Sequence, residues 1–249
     1  MLKEERQRHI LERLHRDSRI YITTISEELG VSDDTLRRDL AELERQGLLT
    51  KVHGGAIARS AISLLLTERM TGNMSAKQLM AAKVVGLFAD GDTLLIDGGT
   101  SNLEVAKALP IDKRFTVITN SFPIANQLFS RADIRTVFLG GDVDAEGQVT
   151  LGIDTYRAMQ RVRADWAIIG VSDVHPEYGL FCPKREEALI KRCVLERGNK
   201  RVVVAGREKL DTARTFQIAT LGDIDYLVSD QEGTAYIRNH WPKGSYQLL

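Results

Sequence analysis

Four short polar turns, each directly after an apolar run, carry the side chains best suited to hold a small anionic or polyhydroxylated ligand. The first, Leu94 to Asn102 (LLIDGGTSN), is an apolar segment entering a Gly-rich turn that opens a helical stretch. Successive backbone N–H groups in such a turn converge on one point, and the helix N-terminus behind it reinforces their preference for negative charge. Asp97 would orient the turn or accept from a sugar hydroxyl. Gly98 and Gly99 shape the turn, and Thr100, Ser101 and Asn102 offer side-chain donors. The others are Asn120 and Ser121 in Thr119-Asn120-Ser121, Gly140 and Gly141 in Leu139-Gly140-Gly141-Asp142, and Asp173 in Gly170-Val171-Ser172-Asp173. Several polar strand ends meeting at one edge are what such a ligand requires. Each turn alone is equally compatible with a structural role. The Asp97–Gly99 letters also suit a nucleotide or S-adenosylmethionine, but a full G-x-G-x-x-G with an acidic partner about 20 residues later is absent.

A second kind of chemistry sits near the N-terminus. Leu36, Leu40 and Leu43 fix the buried face of one helix, which leaves Thr35, Arg37 and Arg38 turned outward. An arginine can make a bidentate contact to guanine or clamp a phosphate, and a threonine can touch a thymine methyl. The same Arg-Arg pair on an anonymous helix would simply be a solvated face.

The elements that must position these groups fall into two styles of sequence meeting near residue 60. Residues 1–59 read as a winged helix-turn-helix DNA-binding domain, 60–75 as a linker, and 76–249 as an effector-binding and oligomerisation domain. In the first part, Ile10, Leu11 and Leu14 mark a helix over Lys3–Arg16. An extended piece, Arg19–Ile22, leads to a second helix that starts near Thr23 or Thr24 and closes at Leu29–Gly30, where glycine suits the left-handed cap. Ser32 is an N-cap, with Asp33 and Asp34 complementing the dipole of the third helix. Leu48 to Gly55 form two short strands around a basic turn, from which Lys51 and His53 would meet DNA backbone or minor groove. In this arrangement the third helix enters the major groove with its N-terminal residues facing base edges.

Beyond residue 76, strands expected at Thr93–Asp97, Phe115–Thr119, Ile134–Phe138, Trp166–Gly170, Arg201–Ala205 and Asp225–Val228 alternate with helices at Ala76–Ala89, Leu103–Leu109, Pro123–Phe129, Thr155–Arg161 and Lys184–Arg197. Such alternation predicts an α/β domain with a mainly parallel sheet covered on both faces, its ligand at the carboxyl ends of the strands.

Composition narrows the class. The 249 residues include 43% hydrophobic and 27% charged side chains, an ordinary globular balance. Basic and acidic residues both number 34, so no global field draws the protein to nucleic acid or anionic lipid. Residues 1–59 are also balanced, with eleven of each sign. DNA affinity must then come from local clustering and from avidity in a dimer. No apolar run reaches the length of about 18 residues that a membrane span needs, no secretory signal is evident, and a cytoplasmic location is expected. Cys182 and Cys193 read as small buried apolar groups, His175 as a solvated loop residue, and no metal-ligand spacing or cofactor is expected.

Val31 through Ala56, VSDDTLRRDLAELERQGLLTKVHGGA, closely resembles the DNA-binding segment of the DeoR family of bacterial transcription regulators. That family's pattern is Val-Ser, two variable residues, Thr-Ile-Arg-Arg-Asp-Leu, then Leu-Glu, Gly and a His-Gly-Gly-Ala wing. Leu36 replaces the usual Ile. Asp97 to Ser101, Thr119 to Ser121, Leu139 to Gly141, and Glu187 with Lys191 are similar to blocks of the family's effector domain, so the likeness spans nearly the whole chain. It implies a fold like that of ribose-5-phosphate isomerase and CoA transferases, and a phosphorylated sugar or polyol as effector. The Gly98–Asn102 turn would hold the phosphate, with Lys191 or Lys209 supplementing it. The implied protein is a homo-oligomeric repressor (dimer or tetramer) of a carbohydrate or polyol operon, binding double-stranded DNA through Ser32, Thr35, Arg37, Arg38, Lys51 and His53. Glu187 and Lys191 are equally spaced for an ordinary exposed helix pair. Two departures alter the pocket: Gly206-Arg207-Glu208 stands where an acidic residue and two small hydroxyls are usual, and Phe181 replaces a threonine. The alternative is a sugar-phosphate isomerase-like enzyme on the same architecture, with Glu187 or Asp173 as the base.

Overall fold

The computed structural model describes residues 3–17, 19–46, 48–52, 54–58 and 72–249. The chain divides into two compact units, Met1–Arg69 and Met70–Leu249.

The first unit is a winged helix-turn-helix. Helix α1 (Lys3–Asp17) buries Ile10 and Leu14 on one stripe. Strand β1 (Arg19–Tyr21) follows, and α2 (Ile22–Leu29) starts on the last residue of the expected extended piece, one or two residues ahead of the expected helix start. Gly30 closes α2 at φ 63°, a left-handed conformation that glycine adopts without a Cβ penalty. Ser32 then caps α3 (Asp33–Arg45), its hydroxyl accepting from the Thr35 N–H at 3.3 Å. The wing is wider than the expected pair of strands. Strand β3 (Gly55–Ala58) pairs antiparallel with both β2 (Leu49–Val52) and β1, giving the order β1-β3-β2. Ile10, Ile25, Leu36, Leu40, Leu43 and Leu49 form its dry centre.

The second unit opens with α4 (Met74–Val85), entered through Asn73 at φ 52° and so two residues ahead of the expected start. Seven parallel strands follow: β4 (Thr93–Ile96), β5 (Phe115–Thr119), β6 (Ile134–Phe138), β9 (Ala164–Gly170), β12 (Gly198–Val204), β14 (Tyr226–Val228) and β15 (Gln247–Leu248). Their order is β15-β14-β12-β9-β4-β5-β6. Burial on both faces explains the unbroken apolar runs. Leu94 and Ile96 join Val117, Ile168, Val202, Met80 and Val84 on one face, whereas Leu95 between them joins Ala167, Ile169, Val203, Ile190 and Val194 on the other. The covering helices are α4, α5 (Thr100–Lys107), α6 (Phe122–Leu128), α7 (Gly152–Gln160), α8 (Arg185–Arg197) and α9 (Gln231–His240). A hairpin of β7 (Asp142–Asp144) and β8 (Val149–Leu151) stands beside the sheet, as does an antiparallel set of β10 (Asp173–His175), β11 (Gly179–Cys182) and β13 (Phe216–Ala219). Neither was anticipated from the sequence.

The chain runs from β4 through β5 to β6 in one direction, then returns to β9 on the other side of β4 and continues outward. The winding therefore reverses between β4 and β9. In open parallel sheets the crevice outside the carboxyl ends at such a reversal is where ligands bind.

Candidate functional site

The outward face of α3 is defined by what lies opposite. Leu36, Asp39, Leu40 and Leu43 are buried, so the stripe at Asp34, Arg37, Arg38 and Ala41 faces solvent. Arg38 is exposed and forms no ion pair with any described residue. Arg37 is exposed as well, but donates to the Asp34 carboxylate at 2.8 Å and lies 3.9 Å from Asp33. Ser32 is committed to the helix cap, with its hydroxyl 3.0 Å from that of Thr35. The Lys51 backbone N–H donates to Glu44 at 2.8 Å on the half-buried wing, and His53 lies outside the described residues.

The residue that sequence reasoning missed is Asp39. It is 3% exposed and takes two hydrogen bonds from the Arg6 guanidinium on α1, which holds the Arg6 pKa above its ordinary value. Asp39 thus ties α3 to α1. A carboxylate next to two arginines gives no hint in sequence of a partner 33 positions away.

In the second unit, one buried cation links the carboxyl ends of β4 and β9. Asp97 follows β4 immediately, and its backbone N–H donates to the Ile168 carbonyl at 3.0 Å. Lys191, at the midpoint of α8, reaches across to ion-pair with the Asp97 carboxylate. It also donates to the Gly170 carbonyl at the end of β9 at 2.8 Å, and lies 3.3 Å from Glu187. Asp97 and Lys191 are only 3% and 4% exposed, so the reading of Glu187 and Lys191 as a solvated helix pair is overturned for the lysine. Burial pushes the Asp97 carboxyl up from its ordinary value while Lys191 pulls it down. Burial penalises the Lys191 ammonium, but Asp97 and Glu187 outweigh this and raise its pKa. The thiol of Cys182 nearby is pushed up to about 12, by burial first and by Glu187 second, and its S–H points to the Lys184 carbonyl at 3.3 Å.

Around that pair, several residues expected to meet ligand act as braces. Asn102 is fully buried and its amide donates to the Asp97 carbonyl at 2.9 Å, with the Gly98 and Ile168 carbonyls further out at 3.5 and 3.4 Å. Asn120 donates to the Thr150 carbonyl at 2.8 Å, and Ser121 bridges to Val149, so both lie beneath the β7–β8 hairpin. The hairpin crosses close over the Gly-rich turn: a Cβ at Gly98 would stand 2.3 Å from Val149 Cγ1. Gly99, at φ 120°, leads into α5, and Thr100 beside it is half-buried, whereas Ser101 is buried. At the hairpin tip, Lys184 from the entry to α8 pairs with Asp144 and Glu146, both at 2.8 Å. Gly140 and Gly141 are exposed just beyond the end of the edge strand β6, where Thr155 donates to the Gly140 carbonyl at 2.9 Å.

Asp173 is not part of this cluster. It sits on β10, buried, with its carboxylate held by Arg214 at 3.0 and 3.2 Å. Lys209 lies half-buried in a 3₁₀ turn over Arg207–Lys209. In the departing segment, Arg207 stacks 3.7 Å over the Tyr236 ring, and the Glu208 carboxylate folds back over Gly206. Among the described residues, no group of three or more His, Cys, Asp or Glu could hold a metal, and no helix is long and apolar enough to cross a membrane.

Comparison with known proteins agrees with both halves. Residues 6–61 match the DeoR-like helix-turn-helix domain, and residues 72–231 match the DeoR C terminal sensor domain. The chain is 32% identical over 232 residues to the HTH-type transcriptional regulator GlpR of Haloferax volcanii, covering 92% of this chain and 91% of that protein. It is 27% identical over 231 residues to the glycerol-3-phosphate regulon repressor of Escherichia coli K12, covering 92% of each. Ribose 5-phosphate isomerase A of Methanocaldococcus jannaschii overlaps 56% of this chain and 55% of its own, at a TM-score of 0.42 and 18% identity. The chain belongs to the DeoR family of transcription regulators, with a DeoR-type helix-turn-helix ahead of a DeoR sensor domain.

Proposed function

We propose that this regulator represses a carbohydrate or polyol catabolic operon and releases its operator when a phosphorylated sugar or polyol occupies the β4–β9 crevice. The observation that carries the reading is the reversal of strand order at a buried cation, where Asp97, Lys191 and Glu187 meet beneath the Gly98–Gly99 turn. The turn and the α5 N-terminus would take the phosphate, and Glu187, beside the buried Asp97–Lys191 pair that supports the turn, would orient hydroxyls. DNA would be held by Thr35, Arg37 and Arg38 from α3, with Lys51 and His53 from the wing. Two copies would present two α3 helices to the two half-sites of an operator, and ligand would favour the arrangement that fits them less well.

The protein acts in this reading by binding, without turnover. Asp173 is engaged by Arg214, and Cys182 stays a thiol at neutral pH, so neither serves as base or nucleophile. A gel-shift with duplex from the region upstream of its own gene tests the proposal. A specific complex at moderate salt that is released by one member of a phosphorylated sugar and polyol panel is expected. Folded protein that forms no specific complex refutes it. Conversion of ribose 5-phosphate by the full chain would favour the isomerase-like alternative.

A further inference from the structure

We propose that Asp34 and Arg37 read DNA as one unit, the Asp34 carboxylate accepting from cytosine N4 while Arg37 donates to the paired guanine, so that Asp34 fixes a C·G pair in each operator half-site. The inference rests on the assignment of α3 as the reading helix. Asp34 is not at the margin of that helix face. Its position, three and four residues before Arg37 and Arg38 and seven before Ala41, puts it at the N-terminal end of the stripe, on the line directly opposite the buried leucines. Its side chain is 76% exposed, and its one ionic partner among the described residues is Arg37 at 2.8 Å.

A carboxylate pointing straight out from the leading end of a surface that must approach phosphates is repelled by them, so its presence there calls for a compensating contact. The major-groove edge of a C·G pair offers one. It displays a donor, cytosine N4–H₂, beside two acceptors, guanine O6 and N7. The Asp34–Arg37 pair displays the complementary order, a carboxylate acceptor beside guanidinium donors. One Arg37 Nη1–H is spent on Asp34, which holds the fork in place and leaves other N–H groups for guanine. Asp33 already supplies a first-turn charge for the helix dipole, and it is the less exposed of the two. The two positions after Val-Ser vary in the resembling family pattern, so Asp34 would set a preference particular to this chain.

The test is selection of binding sites by the full chain from duplexes with a randomised core, run side by side for the parent, Asp34→Ala and Asp34→Asn. The parent should enrich a half-site with one invariant C·G pair. Asp34→Ala should lose preference at that pair alone, by roughly tenfold or more, and keep the other positions. Asp34→Asn should move the preference toward adenine, because a carboxamide matches adenine N7 and N6. A merely structural carboxylate would not redirect one base position. Enrichment of the parental site, C·G pair included, by Asp34→Ala overturns the proposal while leaving the DNA reading intact. Failure of the parent itself to enrich any site overturns the reading of α3 and this proposal with it.

Discussion

Replacing Lys191 by methionine removes the ammonium and keeps much of the side-chain volume at the β4–β9 crevice. Asp97 is then left as a carboxylate 3% exposed to solvent with its ionic partner gone, and the Gly170 carbonyl loses a donor. Breaking a buried pair by deleting one member costs about 3–5 kcal/mol. For a domain of this size, about 2–4 °C of melting temperature accompanies each kcal/mol, so a fall of roughly 6–20 °C is expected. Both tryptophans, Trp166 and Trp241, lie in the sensor unit and are buried, so their fluorescence follows that unit alone. The loss must also depend on pH, with a definite sign. Burial already lifts the Asp97 carboxyl in the parent, and Lys191 opposes this. Without Lys191 the folded variant binds a proton at Asp97 that the unfolded chain, with its ordinary carboxyl near 3.9, does not bind. The folded state then carries the extra proton, so stability declines as pH rises, by about 1.4 kcal/mol per unit. Relative to the parent, the variant should regain up to about 3 kcal/mol between pH 7 and pH 5. Adding Asp97→Asn removes the stranded charge and should recover most of the loss at pH 7. A Lys191→Met melt within 2 °C of the parent, or a double variant no better than the single, would show that the pair is not the buried lock described above.

Arg38→Ala should abolish specific DNA binding, leave amide exchange in α1 and α3 unchanged and lower the slope of log K against log salt by about 1 if Arg38 meets a phosphate; hydrogen exchange and titrations at several salt concentrations measure this. Asp39→Ala strands Arg6 and should destabilise the N-terminal unit by about 3 kcal/mol, seen as faster amide exchange in α1 and α3 with no change in the sensor unit. Gly98→Ala places a methyl 2.3 Å from Val149 Cγ1 and should lift the β7–β8 hairpin from the turn. It should cost about 1–3 kcal/mol and abolish stabilisation by a phosphorylated polyol in thermal-shift measurements; persistence of that stabilisation would move the effector elsewhere.

The parts of the fold legible in sequence are those whose signals are local. Leu36, Leu40 and Leu43 repeat at helical spacing, Ser32 and Gly30 are caps of the expected kind, and the runs around Leu94–Ile96 and Ala167–Ile169 are apolar because both sheet faces are covered. Strands such as Asp142–Asp144 and Asp173–His175 were illegible, because three residues, two of them polar, carry no period. Helix α9 was also missed. It buries only Gly233, Thr234 and Ile237, although Asp230, whose carboxylate accepts from Gly233 N–H at 2.7 Å, was a readable cap. In the crevice, the Glu187–Lys191 spacing was visible but its burial was not, since that depends on Asp97, 94 positions earlier. Lys184 and Arg214, which hold the hairpin tip and Asp173, left no trace in their neighbourhoods.

The same geometry separates contact from support inside each motif. Consecutive residues on a helix point about 100° apart. In Arg37-Arg38-Asp39 the arginines can face a ligand only if the aspartate turns toward the body of the unit, and there it meets Arg6. At the end of β4 the alternation of a strand sends Asp97 into the protein toward Lys191, while the Gly98–Gly99 turn that follows offers backbone. Loss of function at Asp39 or Asp97 would therefore report a weakened support, not a lost contact. The distinction is measurable: a support variant loses local stability and binding together, whereas a contact variant such as Arg38→Ala loses binding with the amide protection of α1 and α3 intact. An Asp39→Ala protein that kept its α1 and α3 amide protection yet failed to bind DNA would place Asp39 among the contacts and break this division.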